Sequence, residues 1–213
     1  MDNRLRKRWD RASRMYDLVT HGDEKRLGPY KRRLFAKMEG RCLLVGTGTG
    51  NDFKYFPSGL RITAIDVSPA MLVRARRKAR AYAGQLSLEE MDVRALDYDD
   101  ATFDTVVTSC VFCSVPDPVS GLRQLHRCLR PEGRLLMFEH VRSRLGPIAL
   151  MQDLLTPYTS RFGPDMNRDT TANVVRAGFA IVLEDNVYLD VVRAIVATPA
   201  SFTRSRGEDH ERI

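Results

Sequence analysis

Gly46, Gly48 and Gly50 follow directly on the apolar run at 42–45. Glycines in that place let a chain leave a strand in a sharp turn and let a ligand approach the backbone with no Cβ in the way. The dinucleotide fingerprint would require GxGxxG, and position 51 is Asn51, which counts against a nicotinamide dinucleotide. Two carboxylates stand where further strands should end, Asp66 closing RITAID and Asp92 closing QLSLEEMDV. Each could accept hydrogen bonds from the hydroxyl or amino groups of a bound molecule. Later, RLLMFEHV ends in Glu139 and His140. A histidine has an unperturbed pKa of about 6.5, so at neutral pH it can accept a proton. The four cysteines, Cys42, Cys110, Cys113 and Cys128, include one CxxC but no second Cys or His pair to complete a metal site. They read as buried and reduced, and no metal is expected.

These residues need strands and helices to position them. From Arg41 onward strand-like and helix-like stretches alternate, the pattern of a largely parallel sheet. RCLLVGTGTG, a buried strand feeding a tight turn, RITAID, QLSLEEMDV, a strand with its loop, FDTVVTSCVF and RLLMFEHV are five strands in order. Ser68-Pro69 and Asp117-Pro118 each join an N-cap to a proline at the first helical position, so a helix follows each. The RPEG at 130–133 stops the second of these. Residues 142–166 read as less regular, NRDTTANVVRAG as a helix starting at Asn167 and ending at Gly178, and AIVLEDNVYL and VVRAIVATPA as two adjacent strands joined by a turn. The tail after Pro199 is polar.

Residues 1–41 hold 13 Lys and Arg against 6 Asp and Glu, while the remainder holds 21 of each. The whole net charge of +7 thus belongs to the first fifth of the chain. A basic arm on a neutral body suggests an anionic partner for the arm. On a helix, Leu5, Trp9, Ala12 and Tyr16 form one apolar face, with Arg4, Lys7, Arg8, Arg11 and Arg14 over much of the rest. Such a helix can lie in a lipid headgroup region, or it can simply cover a ligand site. No stretch of about 18 apolar residues could span a bilayer, and the start has no secretory h-region. A cytoplasmic protein held at the inner face of the membrane is the expectation.

The ordered set of GxGxG, Asp66, Asp92, FDTVV and LRPEGRLLMFE resembles the class I S-adenosylmethionine-dependent methyltransferases over about residues 40–200. That resemblance implies an α/β fold: a doubly wound, mostly parallel seven-stranded Rossmann-like sheet at 41–200, with an amphipathic helical lid at 1–40 and a polar tail at 201–213. It implies S-adenosylmethionine as cofactor, with S-adenosylhomocysteine as product. Gly46, Thr47, Gly48, Gly50, Asp66, Val67, Met71, Asp92, Val93 and Ser109 would hold it, Asp66 on the ribose hydroxyls and Asp92 on the adenine amino group. One position departs from the pattern. The family usually has an acidic residue two before the first glycine, and here Leu44 stands there, leaving the receptor of the cofactor's amino group unassigned.

Tyr16-Asp17, SCVFCSVPDP, FEHV and NRDT…AGF are similar to the group that contains bacterial phospholipid N-methyltransferases, quinone C-methyltransferases and membrane-associated thiol methyltransferases. The chain looks most like the first of these, which convert phosphatidylethanolamine towards phosphatidylcholine. Tyr16 and His140 are then the expected catalytic pair, with Tyr16, His21, Glu139, His140 and Tyr158 about the substrate. The phospholipid and an anionic membrane surface touching residues 1–40 are the expected partners. The strand-four end lacks the (Asp/Asn)-Pro-Pro-Tyr of methyltransferases acting on nucleobases or glutamine, and no aromatic platform accompanies the basic arm, so nucleic acid is not expected. The alternatives are C-methylation of a lipid quinone, S-methylation of a small thiol, a nucleic-acid-binding module, and a cofactor-binding fold without activity.

Overall fold

A continuous apolar run, its side chains sent alternately to the two faces of a strand, builds the centre of the molecule. Arg41–Val45 forms β1, in which Leu43 and Val45 enter the core on one face of the sheet and Cys42 and Leu44 the core on the other. Burying a side chain of that size contributes about 1.5–3 kcal/mol, so a strand with both faces covered is held from two sides. The computed structural model describes residues 3–20, 22–161 and 164–200. His21 and the tail at 201–213 lie outside the described residues.

β1 is flanked by β2 (Arg61–Asp66) and β4 (Phe103–Ser109), and β3 (Gln85–Glu90), β5 (Leu129–His140), β6 (Phe179–Tyr188) and β7 (Val192–Pro199) complete the sheet. The order is β3-β2-β1-β4-β5-β7-β6, with β7 antiparallel to both its neighbours and all other pairs parallel. This is the expected seven-stranded, mostly parallel α/β sheet. The order reverses between β1 and β4, and in open α/β sheets ligands bind at that point, outside the carboxyl ends of the strands.

Local chemistry sets the helices. α4 (Pro69–Ala79) begins where the Ser68 hydroxyl accepts from the Met71 N–H at 3.1 Å, and α5 (Pro118–Cys128) where the Asp117 carboxylate accepts from the Ser120 N–H at 3.0 Å. Among the described residues three helices precede the sheet: α1 (Asn3–Ala12), α2 (Tyr16–Thr20) and α3 (Asp23–Phe35).

Two expectations need correction. Residues 146–159 form a regular helix, α6 (Gly146–Thr159), within the stretch read as irregular. Its signal was hidden because its apolar residues face outward: Leu150, Met151, Leu154, Leu155 and Tyr158 are exposed, and only Ala149 and Gln152 are buried. Gln152 does the stitching that a buried stripe would otherwise do, donating to the Val141 and Met166 carbonyls and accepting from the Ser143 N–H at 2.7 Å. The helix expected from Asn167 is α7 (Thr170–Arg176), capped by Asp169, which accepts from the Ala172 N–H at 3.0 Å. Asn167 instead donates to Asp153, and Arg168 donates to the Val115 carbonyl, so both are drawn away from a helical path.

Candidate active site

The glycine loop turns at the carboxyl end of β1 and is tied to the end of β2. Gly46 and Thr47 both donate their N–H to the Ile65 carbonyl, at 2.9 and 3.0 Å, and Gly48 donates to Asp66 Oδ2 at 2.8 Å. Gly46 and Gly48 have φ of 69° and 53°, in the left-handed region that glycine adopts without strain. A Cβ on Gly46 would meet Val111 at 2.3 Å, whereas one on Gly48 would meet only the Tyr16 ring, at 3.8 Å. Gly48 is therefore the loop residue that leaves space for a ligand. Gly50 is placed otherwise than expected. It packs against Phe53, where a Cβ would come within 2.6 Å of the ring, and it lines neither lobe of the cleft described next.

The cleft has two lobes that meet at Tyr16, Gly46, Gly48, Ser109 and Cys110. The first runs over the ends of β2 and β3, where Asp66, Val67, Met71, Asp92 and Val93 form its floor and Leu5 and Trp9 its cover. The second runs over β1 and β5 and is walled by Lys31, Thr47, Asp52, Tyr55 and His140. The sequence-predicted residues Gly46, Thr47, Gly48, Asp66, Val67, Met71, Asp92, Val93, Ser109, Tyr16 and His140 are thus brought together around one cleft.

The apolar face of the arm points inward. Leu5 is buried, and Trp9 packs edge-on against Tyr16 with ring centroids 6.3 Å apart. Of the two places open to this face, a lipid headgroup region or a cover over a ligand site, Leu5, Trp9 and Tyr16 take the second by lining the first lobe. Polar anchors that no local pattern announced hold the arm there. Asp10 accepts from the Ser68 hydroxyl at 2.6 Å and the Ala70 N–H at 3.3 Å, joining α1 to the start of α4. Asp17 accepts from Thr49, from Asn51 at 3.1 Å and from Lys78 at 2.9 Å, joining α2 to the glycine loop. Burial keeps the Tyr16 phenol protonated, with its pKa well above the ordinary tyrosine value.

The two carboxylates differ in electrostatics. Burial pushes Asp66 up to about 6 against the pull of the Gly48 and Ser68 N–H groups. Asp92 is also desolvated, but the Arg94 guanidinium, at 2.7 and 3.0 Å, and the Arg94 N–H hold it below the usual carboxylate range.

Glu139 and Tyr158 do not take their expected places at the substrate. Tyr158 is 65% exposed on α6. Glu139 is fully buried behind the cleft, accepting from the Thr108 hydroxyl at 2.8 Å and from the N–H groups of Val111 and Phe112 at 3.0 and 3.2 Å. It thereby fixes the turn after β4, where Cys110 is held at a φ of 55° in the cleft wall. His140, one residue on, faces the second lobe and hydrogen-bonds the buried Cys113 thiol, which burial pushes up to about 11. The cysteines are free thiols; Cys42, Cys113 and Cys128 are buried, whereas Cys110 is half-buried in the cleft wall rather than buried as expected. No group of His, Cys, Asp and Glu among the described residues could hold a metal ion.

Burial pushes Glu139 up to about 7. A raised carboxyl contributes stability that is fully present below its ordinary value near 4.5 and is lost as pH rises through about 7. Glu139→Gln, which mimics the protonated acid, is expected to remove that loss, worth on the order of 3 kcal/mol. Glu139→Ala is expected to cost about 2–4 kcal/mol at pH 4.5, because it orphans the Val111 and Phe112 N–H groups, and less at pH 7.5, where the wild type has lost the share that its raised carboxyl contributes. Denaturant unfolding of the three proteins at pH 4.5, 6 and 7.5 checks both; parallel curves for wild type and the glutamine variant would refute the assignment.

Comparison with known proteins agrees with this geometry. The methyltransferase domain family matches residues 43–137. A phosphatidylethanolamine N-methyltransferase of Cereibacter sphaeroides is 34% identical over 126 residues, 58% of this chain and 62% of the bacterial enzyme's own length. A thiol S-methyltransferase of Homo sapiens is 30% identical over 180 residues, 76% of this chain and 72% of that protein. A demethylmenaquinone methyltransferase of Deinococcus radiodurans is 38% identical over 102 residues, 46% of this chain and 42% of that protein. Among solved structures, an S-adenosylmethionine-dependent methyltransferase of Thermotoga maritima, described as a possible histamine N-methyltransferase, superposes with a TM-score of 0.68 at 16% identity, covering 91% of this chain and 99% of that one. The latter likeness concerns the fold alone. With the matched domain, the sheet order and the cleft at its reversal point in agreement, the chain belongs to the S-adenosylmethionine-dependent methyltransferases.

Proposed function

We propose that this methyltransferase N-methylates phosphatidylethanolamine and its partly methylated forms at a membrane surface. The observation that carries the reading is the pairing of His140 and Tyr16 in the second lobe, beside the glycine loop. An amine nucleophile arrives as an ammonium and must lose a proton before it has a lone pair to use. An imidazole in the wall can take that proton, and a half-buried aromatic ring attracts the cationic headgroup by about 0.5–2 kcal/mol.

The cleft fits S-adenosylmethionine. Gly48 leaves open the space that a side chain would enter, Asp66 is a buried acceptor at the edge of the glycine loop, and Val67, Met71 and Val93 give the first lobe apolar surface suited to a flat ring. Asp66 would receive the ribose hydroxyls and Asp92 the adenine amino group. When bound, the cofactor supplies a methyl group already activated on a sulfonium. The protein is left to align the acceptor, exclude water and hold the departing proton, which is catalysis by proximity. Leu5, Trp9 and Tyr16 act as the lid that excludes water.

Among the described residues no helix is long and apolar enough to cross a membrane. Contact is proposed through the outer side of the arm, where Arg4, Lys7, Arg11 and Arg14 are exposed, together with the outward apolar residues of α6. Arg8 links the two elements by donating to the Ser160 carbonyl at 2.8 Å. Each basic residue near an anionic surface adds about 1 kcal/mol. Replacing Lys7, Arg11 and Arg14 by glutamine is therefore expected to cut partition into anionic vesicles roughly 100-fold and to leave cofactor affinity unchanged. Co-sedimentation and calorimetric titration measure the two.

S-methylation of a small thiol is the second reading, supported by the longer match to the human enzyme. Incubation with methyl-labelled cofactor and vesicles of phosphatidylethanolamine, a small thiol or a demethylated quinone separates the readings. Label in monomethyl-phosphatidylethanolamine is expected; label confined to the thiol or the quinone would replace the proposal.

A further inference from the structure

Leu44 holds the position from which an acidic side chain would reach the amino group of the cofactor, and it is 2% exposed in the core beneath α3. The amino-acid end of S-adenosylmethionine carries an ammonium and a carboxylate. A partly buried receptor must answer both, since an unpaired charge taken from water is costly.

The second lobe contains one such pair of opposite charges. Lys31, on α3, donates from Nζ to Asp52 Oδ1, on the turn that follows the glycine loop, at 2.7 Å, and each side chain is only 18% exposed. Both line the lobe together with the loop residues Gly46 to Thr49. Lys31 also lies over the Phe138 ring, its Nζ 5.3 Å from the centroid, which fixes its ammonium at the lobe floor. Among the described residues that line the two lobes, Lys31 is the one Lys or Arg. Asp66 and Asp92 are the other carboxylates there, and both lie in the first lobe. Burial alone would depress Lys31, but the Asp52 carboxylate outweighs it and keeps the ammonium charged.

We propose that Lys31 and Asp52 together hold the amino-acid end of S-adenosylmethionine, Lys31 taking the carboxylate and Asp52 the ammonium. The proposal rests on the cofactor reading above and adds the receptor that Leu44 cannot provide. Neither charge is buried alone before the ligand arrives, and each gains a second partner of opposite sign when it does. The pair thus selects for ligands carrying the whole amino-acid group.

Three ligands test this by binding alone. S-adenosylhomocysteine carries both charges, S-adenosyl-3-thiopropylamine keeps the ammonium and lacks the carboxylate, and 5′-methylthioadenosine lacks both. By calorimetric titration, Asp52→Asn is expected to weaken the first two roughly 10- to 100-fold and the third by less than about twofold. Lys31→Met is expected to weaken only S-adenosylhomocysteine to that extent. Lys31→Arg and Asp52→Glu, which keep the charges and the tie between α3 and the loop, are expected to preserve the preference, and they serve should Lys31→Met fail to fold. If both neutralised variants bind all three ligands in the wild-type ratios, the pair is only a structural tie and the proposal is overturned. A wild-type protein that binds 5′-methylthioadenosine as tightly as S-adenosylhomocysteine also overturns it, with the cofactor reading left standing. A wild-type protein that binds none of the three defeats both.

Discussion

Replacing His140 by alanine is expected to slow methyl transfer to phosphatidylethanolamine by about 10²–10⁴-fold, the usual worth of a general base, while S-adenosylmethionine affinity changes little. The expectation rests on position. His140 closes β5 on the rim of the cleft and faces the second lobe, whereas the carboxylates expected to bind the cofactor's ribose and adenine line the first. His140 also hydrogen-bonds the buried Cys113 thiol, so a purely structural role has to be separated from proton transfer. Two readouts do so. A base that must be neutral produces a fall in kcat/KM at the acid side of the pH profile, and this limb is expected to vanish in the alanine variant. His140→Gln can keep a hydrogen bond to Cys113 but cannot take a proton at these pH values; it is expected to restore thermal stability and not the rate. A full rate with an unchanged pH profile in either variant would remove His140 from the mechanism.

The second large effect is expected at Asp66. Asp66→Ala should weaken S-adenosylmethionine binding at least about 10- to 100-fold, since orphaning a buried hydroxyl costs about 1–3 kcal/mol and the ribose presents two. Alanine also leaves the Gly48 and Ser68 N–H groups without their acceptor, so Asp66→Asn, which keeps an acceptor oxygen, is the control for the loop itself. A pH dependence sharpens the test. Ribose hydroxyls donate to the ionised carboxylate, and burial has raised this group to about 6. Binding must therefore weaken as pH falls through that value, approaching a tenfold loss per unit below it. The asparagine variant is expected to bind more weakly throughout and to show no such slope. Calorimetric titration from pH 5 to 8 decides it, and an affinity independent of pH in the wild type would show that Asp66 does not receive the ribose.

Much of the cleft was legible because its chemistry is encoded in short segments. A glycine run directly after β1, a carboxylate at the end of β2 and another just beyond β3 are each a local statement about one turn, and the parallel sheet puts all three turns at the same edge. The α4 and α5 starts were legible for a similar reason, since an N-cap and its N–H lie three residues apart. Residues that act across the fold left no such mark. Lys31 and Asp52 lie 21 positions apart and Asp10 and Ser68 lie 58 apart, so their pairing exists only once α1 and α3 have docked.

The sequence by itself therefore determined the order of strands and helices, the place of the glycine loop and the carboxylates at its side, because periodicity and capping are properties of a few consecutive residues. Only the tertiary structure decided which way faces and charges point. The apolar face of α1 reads equally well as a membrane surface or a cleft wall, and the contacts of Leu5 and Trp9 with the cleft make it a wall. Glu139 and His140 are adjacent at the end of β5, yet the strand's twofold alternation sends the carboxylate into the core beneath the β4 turn and the imidazole into the cleft. α6 was illegible because it buries almost no apolar side chain of its own, and its position is set by Gln152 bonding to segments on either side. Burial and long-range hydrogen bonding depend on what the rest of the chain brings alongside a residue, and that is not written in the residues next to it.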